Sequence, residues 1–304
     1  RLIEEFMVLA NVAAAETLQA KRTALVFRVH EEPDPERLEA LRDTAVASGL
    51  VLAKGQVLKT MHLNRLLSQA EGTDARELIN LATLKSMQQA YYHPENFGHF
   101  GLALRAYAHF TSPIRRYADL IVHRALIAAH GWGDDGLTQA EIDGIEETAT
   151  HISQTERRSM MAERDTTDRY LAAYLADRVG TEMTGRISGI ARFGAFVKLD
   201  ETGADGLVPV RSLGHEFFVY DPRSQSLMGE KSGTTIELGQ KVLVRLTEAA
   251  PVTGGLILEM LELGDSALPR GSQQTRDRRR QARKPAIARK KNEKTRRKVK
   301  RTRR

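Results

Sequence analysis

The stretch 97-FGHFGLALRAYAHFTSPIRRYADLIVHR-124 changes character at Ser112-Pro113. A hydroxyl side chain followed by proline is a helix start, with Ser112 as N-cap and Pro113 at the first helical position, and it predicts a helix over 113–130. Arg115 and Arg116 would then lie in the first turn, where free backbone N–H groups already favour an anion. Two guanidiniums at such an end make a phosphate cradle. The rival reading pairs one arginine with Asp119 on the surface, where ion pairs are common and weak. His30, His99, His109 and His123 show no pairing with a nucleophile and read as structural.

Working outward, residues 1–21 carry Leu2, Phe6, Leu9, Ala13 and Leu18 at helical spacing. Glu4 and Asn11 are seven apart and share a face, so a polar stripe interrupts this helix. Arg1 is neither a cap nor a Met, which suggests a start inside a larger protein. Glu32-Pro33-Asp34-Pro35 is a turn that opens a second helix, running to about Ser48 and stopped by Gly49. Two more helices are predicted within 58–92, separated by Gly72, and others over 138–158 and 159–178, the last two able to join. From Gly180 the chain alternates and turns: EMTGRISGI, GAFVKLDE, DGLVPVRSL, KVLVRLTEA and GLILEML predict five short strands of a small barrel. Period-2 logic points Ala195 and Phe196 to opposite faces, and Gly194 permits a tight approach. The fold class is therefore multidomain α+β: a mostly helical part over 1–178, a small all-β barrel over 179–264, and a disordered basic tail over 265–304.

The net charge of +7 hides an asymmetry. Residues 271–304 hold 17 Lys+Arg against 2 Asp+Glu, a net of +15, which leaves 29 basic and 37 acidic residues, a net of −8, in 1–270. An acidic body with a basic arm points to a polyanionic partner. Zero cysteines exclude disulfides and thiolate metal sites, and fit a cytoplasmic protein. No apolar run approaches the roughly 18 residues of a membrane helix, so no membrane partner is expected.

HFTSPIRRYADL and GHFGLAL closely resemble the hallmark of the RNB catalytic domain of the RNase II/RNase R exoribonucleases, and LIEEFMVLAN, FRVHEEPDPERLEAL and MAERDTTDRYL resemble the same family in its order. The barrel, the YDPRSQSLMGEKSG insertion inside it and the basic tail favour the RNase R type over RNase II. The resemblance implies processive 3′→5′ hydrolysis of RNA, structured RNA included, to nucleoside 5′-monophosphates. It places Arg115 where the family holds the scissile phosphate and Glu163 near the catalytic centre. Arg116 would support the structure or a neighbouring phosphate, and Ser112, the N-cap, counts with the RNA-binding residues. Glu5, in preference to Glu4, would contact RNA sugars beside Asn11, a means of telling RNA from DNA. The family's magnesium (Mg2+) is held by an aspartate cluster that this sequence does not show; Asp134-Asp135 and Asp165 with Asp168 read as solvated, and the ligands are expected upstream of Arg1. Residues 1–304 alone are therefore expected to be inactive.

Residues 181–263 resemble an S1 RNA-binding domain, which implies that the all-β barrel is an OB-fold. Phe193 and Phe196 are the candidates to stack on bases, with Arg186, Lys198 and Arg211 for phosphates. Pro209 stands where that family often has histidine, which puts the barrel's affinity in doubt. Expected partners are RNA, through single-stranded 3′ ends and structured regions, and the ribosome, for a monomeric protein. The alternative function is a non-catalytic RNA- or ribosome-binding module.

Overall fold

The computed structural model describes residues 1–53, 58–73, 75–214, 216–222, 224–264 and 266–267. It divides into two compact units, Arg1–Thr166 and the chain from Thr167 onward. The basic tail lies outside the described residues, apart from a two-residue strand at its predicted start.

The first unit opens with helix α1 (Leu2–Ala20), followed by strand β1 (Phe27–Val29) and α2 (Pro35–Ala47). Helix α2 starts as its sequence requires: Asp34 accepts the Glu36 N–H, Pro35 stands at the first position, and Gly49 ends it at φ +71°. Helices α3 (Thr60–Ala70) and α4 (Arg76–Ser86) pack on α2 around Leu41, Leu66 and Ile79. Strand β2 (Tyr91–His93) then pairs antiparallel with β1, with Arg28 opposite Tyr92. Neither strand was expected, because three residues are too few to display an alternation, and their pairing is fixed by partners distant in sequence. A second core joins Ala15, Leu18, Phe27 and Ala108 to Val122 and Ala125 on α5 (Tyr117–His130). Helix α6 (Gln139–Asp143) and the long α7 (Ile145–Leu175) follow, so the two helices predicted over 138–178 are in fact one short and one continuous helix.

The second unit holds the five predicted strands: β3 (Glu182–Ala191), β4 (Gly194–Leu199), β5 (Asp205–Pro209), β9 (Lys241–Ala250) and β10 (Gly255–Leu263). The order β10-β5-β4-β3-β9 closes through β9–β10 pairing, which makes a barrel, and β11 (Ser266–Ala267) adds to the edge of β10. Inward positions alternate along β9, where Val242, Val244 and Leu246 are buried. The insertion between β5 and β9 forms its own three-stranded sheet of β6 (Phe218–Asp221), β7 (Ser226–Gly229) and β8 (Thr235–Ile236).

Candidate active site and nucleic-acid interface

The signature segment does not begin as a helix at Ser112. Residues 112–115 form a turn in which Ser112 O accepts from the N–H of both Arg115 and Arg116, each at 3.3 Å. Arg116 is extended at φ −129° and ψ 121°, and α5 starts only at Tyr117. The cause is Asp119. Fully buried, its carboxylate accepts the Ser112 N–H at 2.7 Å and takes the Arg116 fork through Nε at 2.8 Å and Nη2 at 2.9 Å. A carboxylate in the first turn of a helix that reaches back to preceding donors replaces the expected hydroxyl cap. Ser112 is thus no N-cap, and the expected two-arginine cradle is corrected. Arg116 is committed to Asp119, a buried pair and not the surface pair of the rival reading. Arg115 is exposed and, among the described residues, its guanidinium has no hydrogen-bond or ion-pair partner.

The loop is braced from the other side by α1. Asn11 is 3% exposed; its Oδ1 accepts from Phe110 N at 2.9 Å and Thr111 N at 3.2 Å, and its Nδ2 donates to Tyr107 Oη at 3.0 Å. The expectation that Asn11 touches RNA is corrected: its carboxamide is spent inside the protein, holding the segment that carries Arg115. Glu4 and Glu5 are both exposed in the first turn of α1, which projects beyond the packed half of the helix, and Glu163 is exposed on α7.

A layer of rings lies beneath. Arg28 grips Glu156 at 2.6 and 3.0 Å and stands 4.7 Å over the Tyr92 ring, whose hydroxyl meets His109 Nδ1 at 2.8 Å. Burial, then the Arg116 and Arg28 cations, push His109 down to about 3; burial, then His30 and Arg28, push His99 down to about 4. Burial pushes the Tyr92 hydroxyl up to about 12. These groups stay neutral near neutrality and act as packing and hydrogen-bonding parts, not as proton carriers. His30 is fixed between Gln88 O and Gly101 N, both at 2.8 Å, and the His123 ring stacks on Phe110 with Nε2 against Phe110 O at 2.8 Å. Among the described residues no group of three His, Cys, Asp or Glu could hold a metal, so the residues present do not fit a magnesium centre by themselves.

On the barrel, Phe193 occupies the β3–β4 turn and is 58% exposed, with its ring 5.9 Å from Phe196 and edge-on at 88°. Phe196 is half-buried, and Ala195 is fully buried on the other face, as the alternation predicts. A Cβ on Gly194 would come within 2.2 Å of Val208 O, so glycine is what lets β4 lie against β5 there. Lys198 is exposed, with Arg186 and Asp205 as its cross-strand neighbours. Arg186 is half-buried with Nη1 at 3.4 Å from Gly239 O, while Arg211 is exposed in the turn after Pro209.

An RNB domain matches residues 1–131, and an S1 RNA binding domain matches residues 176–261. Ribonuclease R of Vibrio cholerae is 40% identical over 255 residues, 81% of this chain and 31% of that protein. Ribonuclease R of Escherichia coli is 40% identical over 254 residues, with the same shares. The chain belongs to the RNB family, as the C-terminal portion of a ribonuclease R-type protein. It spans about a third of the length of these curated relatives. The apo form of Mycoplasma genitalium RNase R superposes with a TM-score of 0.78 at 29% identity, covering 85% of this chain and 41% of that one. The same Mycoplasma protein in complex with ribose methylated single-stranded RNA gives 0.77.

Within this RNB chain, the residue that sequence reasoning undervalued is Asp119. A signal existed, because Asp119, Val122 and Leu126 share one helical stripe whose other members are buried. Arg28, Tyr92 and Glu156 left no local signal, since Arg28 and Glu156 are 128 residues apart.

Proposed function

We propose that this chain supplies the phosphate-binding loop and the S1 barrel of a 3′→5′ exoribonuclease that degrades RNA processively, structured RNA included, to nucleoside 5′-monophosphates. The observation that carries the reading is Arg115: an exposed guanidinium without a partner among the described residues, on a loop braced from two sides, in the family's hallmark segment. A fixed fork of donors facing the cleaved phosphate stabilises charge developing there more than it stabilises bound RNA. Glu163 and Glu5 are proposed to face the same RNA. Magnesium, the proposed cofactor, would be held by carboxylates preceding Arg1, and residues 1–304 alone would not cut RNA. The protein is proposed to be a cytoplasmic monomer with RNA, and the ribosome, as partners.

In the complete enzyme, Arg115→Ala should lower the single-turnover rate by roughly two orders of magnitude or more, the scale of one lost oxyanion donor. The RNA dissociation constant should stay within about threefold, because barrel and tail still hold other phosphates. A rate within threefold with binding abolished would make Arg115 a docking residue. The tail's +15 charge is assigned to RNA phosphates; deleting 271–304 should flatten the dependence of log affinity on log salt, and an unchanged slope would give the tail another partner. The second reading, a non-catalytic RNA- or ribosome-binding module, draws on the absent metal cluster among the described residues. Nucleotide release from a 3′-tailed RNA by the complete protein separates the two.

A further inference from the structure

We infer that Asp119 is the positioning residue that decides which of the two adjacent arginines meets RNA. The inference rests on the Arg115 reading above. Arg115 and Arg116 are chemically identical neighbours, and nothing in their side chains selects one for a phosphate. The difference comes from Asp119, whose fully buried carboxylate can persist as an anion only if it is paired and hydrogen-bonded. It satisfies both needs from the ends of one turn: the Ser112 N–H at its entry and the Arg116 guanidinium at its exit.

This arrangement does two things at once. It withdraws Arg116 into the protein, where a bidentate pair leaves little of that cation available to RNA. It also clamps both ends of residues 112–116, so Arg115, lying between them, is presented outward with its backbone N–H returned to Ser112 O at 3.3 Å. Asn11 fixes the preceding residues, Phe110 and Thr111, but touches neither arginine, so the choice between them belongs to Asp119.

The test is Asp119→Asn in the complete enzyme. The amide keeps an acceptor for Ser112 N–H but loses the charge and one of the two oxygens that the Arg116 fork requires. The single-turnover rate should fall about tenfold or more, since small misplacements of a catalytic group are costly, while RNA affinity stays within about threefold. Because the effect acts through Arg115, the same change made on top of Arg115→Ala should lower the rate by no more than about threefold further, a non-additivity that a merely structural loss would not produce. Arg116→Gln, which removes the partner instead, should reproduce the pattern and carries the test if Asp119→Asn does not fold. A rate within threefold of the parent, or losses that multiply, would overturn the inference while leaving Arg115 in place. A silent Arg115→Ala would instead sink the Arg115 reading, and this inference with it.

Discussion

The 110–116 loop and the outer face of the barrel both present a cation to solvent, but they achieve it by opposite means. In the loop, the polar groups that fix shape are spent inside the protein: Asn11 and Asp119 are buried and Arg116 is half-buried, which leaves the Arg115 guanidinium outside. On the barrel, Phe193 and Lys198 are set by a turn and a strand pleat, with no buried polar brace beneath them among the described residues. A braced cation suits a reacting phosphate, where placement decides rate. A pleated surface suits sequence-independent holding, where stacking and charge decide affinity.

The barrel's dependence on backbone proximity can be broken at a single atom. Gly194→Ala would put a methyl 2.2 Å from Val208 O and 3.0 Å from Pro209 Cα, both backbone atoms that cannot step aside cheaply. The barrel should lose about 3 kcal/mol. Trp132, the single tryptophan, lies in the first unit and gives that unit its own signal. In urea, the far-UV signal of the barrel should shift while Trp132 fluorescence keeps its midpoint; a common shift of both would mean that the units unfold together.

Phe193→Ala sharpens the functional side of the comparison. Losing one stacking ring should weaken RNA binding about tenfold, in the range of roughly 1–3 kcal/mol per stacked base. In the complete enzyme the single-turnover rate at saturating RNA should hold within about twofold, the reverse of the Arg115→Ala pattern. If the rate falls with the affinity, the barrel face takes part in placing the cleaved phosphate and the division of labour drawn here is wrong.

The barrel was almost fully legible because a strand writes its pattern in adjacent residues: the five alternating runs are the five barrel strands, and Gly194 and Ala195 stand as read. Helix α2 was legible for the same reason, with cap, proline and terminal glycine within its own span. The loop was not. Ser112-Pro113 is a sound local helix signal, yet a carboxylate four residues beyond the turn's tip outcompeted it by capturing two donors at once. Asn11 looked like an RNA contact because polarity on an apolar helix signals function, and only the fold shows the loop 99 and 100 residues away that absorbs it. The RNB resemblance pointed to the segment; the contacts that fix the Asn11 carboxamide there are ones no sequence window spans.

The smallest effect separates the two units by pH. His99 and His109, both in the first unit, sit at about 4 and about 3 in the folded protein, against 6.5 for an ordinary histidine. Their folded pKa values are depressed, so above 6.5 both folded and unfolded chains are neutral there and the full stability is present. As pH falls below 6.5 the unfolded chain takes up protons that the folded one refuses, and stability declines toward the folded values. Each group contributes at most about 1.4 kcal/mol per pH unit, and less for His99, which solvent partly screens. Ordinary carboxylates do not yet titrate between pH 6.5 and 5.5, so that window isolates the histidines. The Trp132-reported urea midpoint should therefore drop across it, by an amount on the order of 1 kcal/mol, while the barrel transition moves much less. His109→Gln, which keeps a polar group toward the Tyr92 hydroxyl but cannot be protonated, should reduce the drop. If the first-unit midpoint is flat from pH 7 to 5.5, the ring layer under the loop is open enough to charge in place, and the rigidity ascribed to it there is lost.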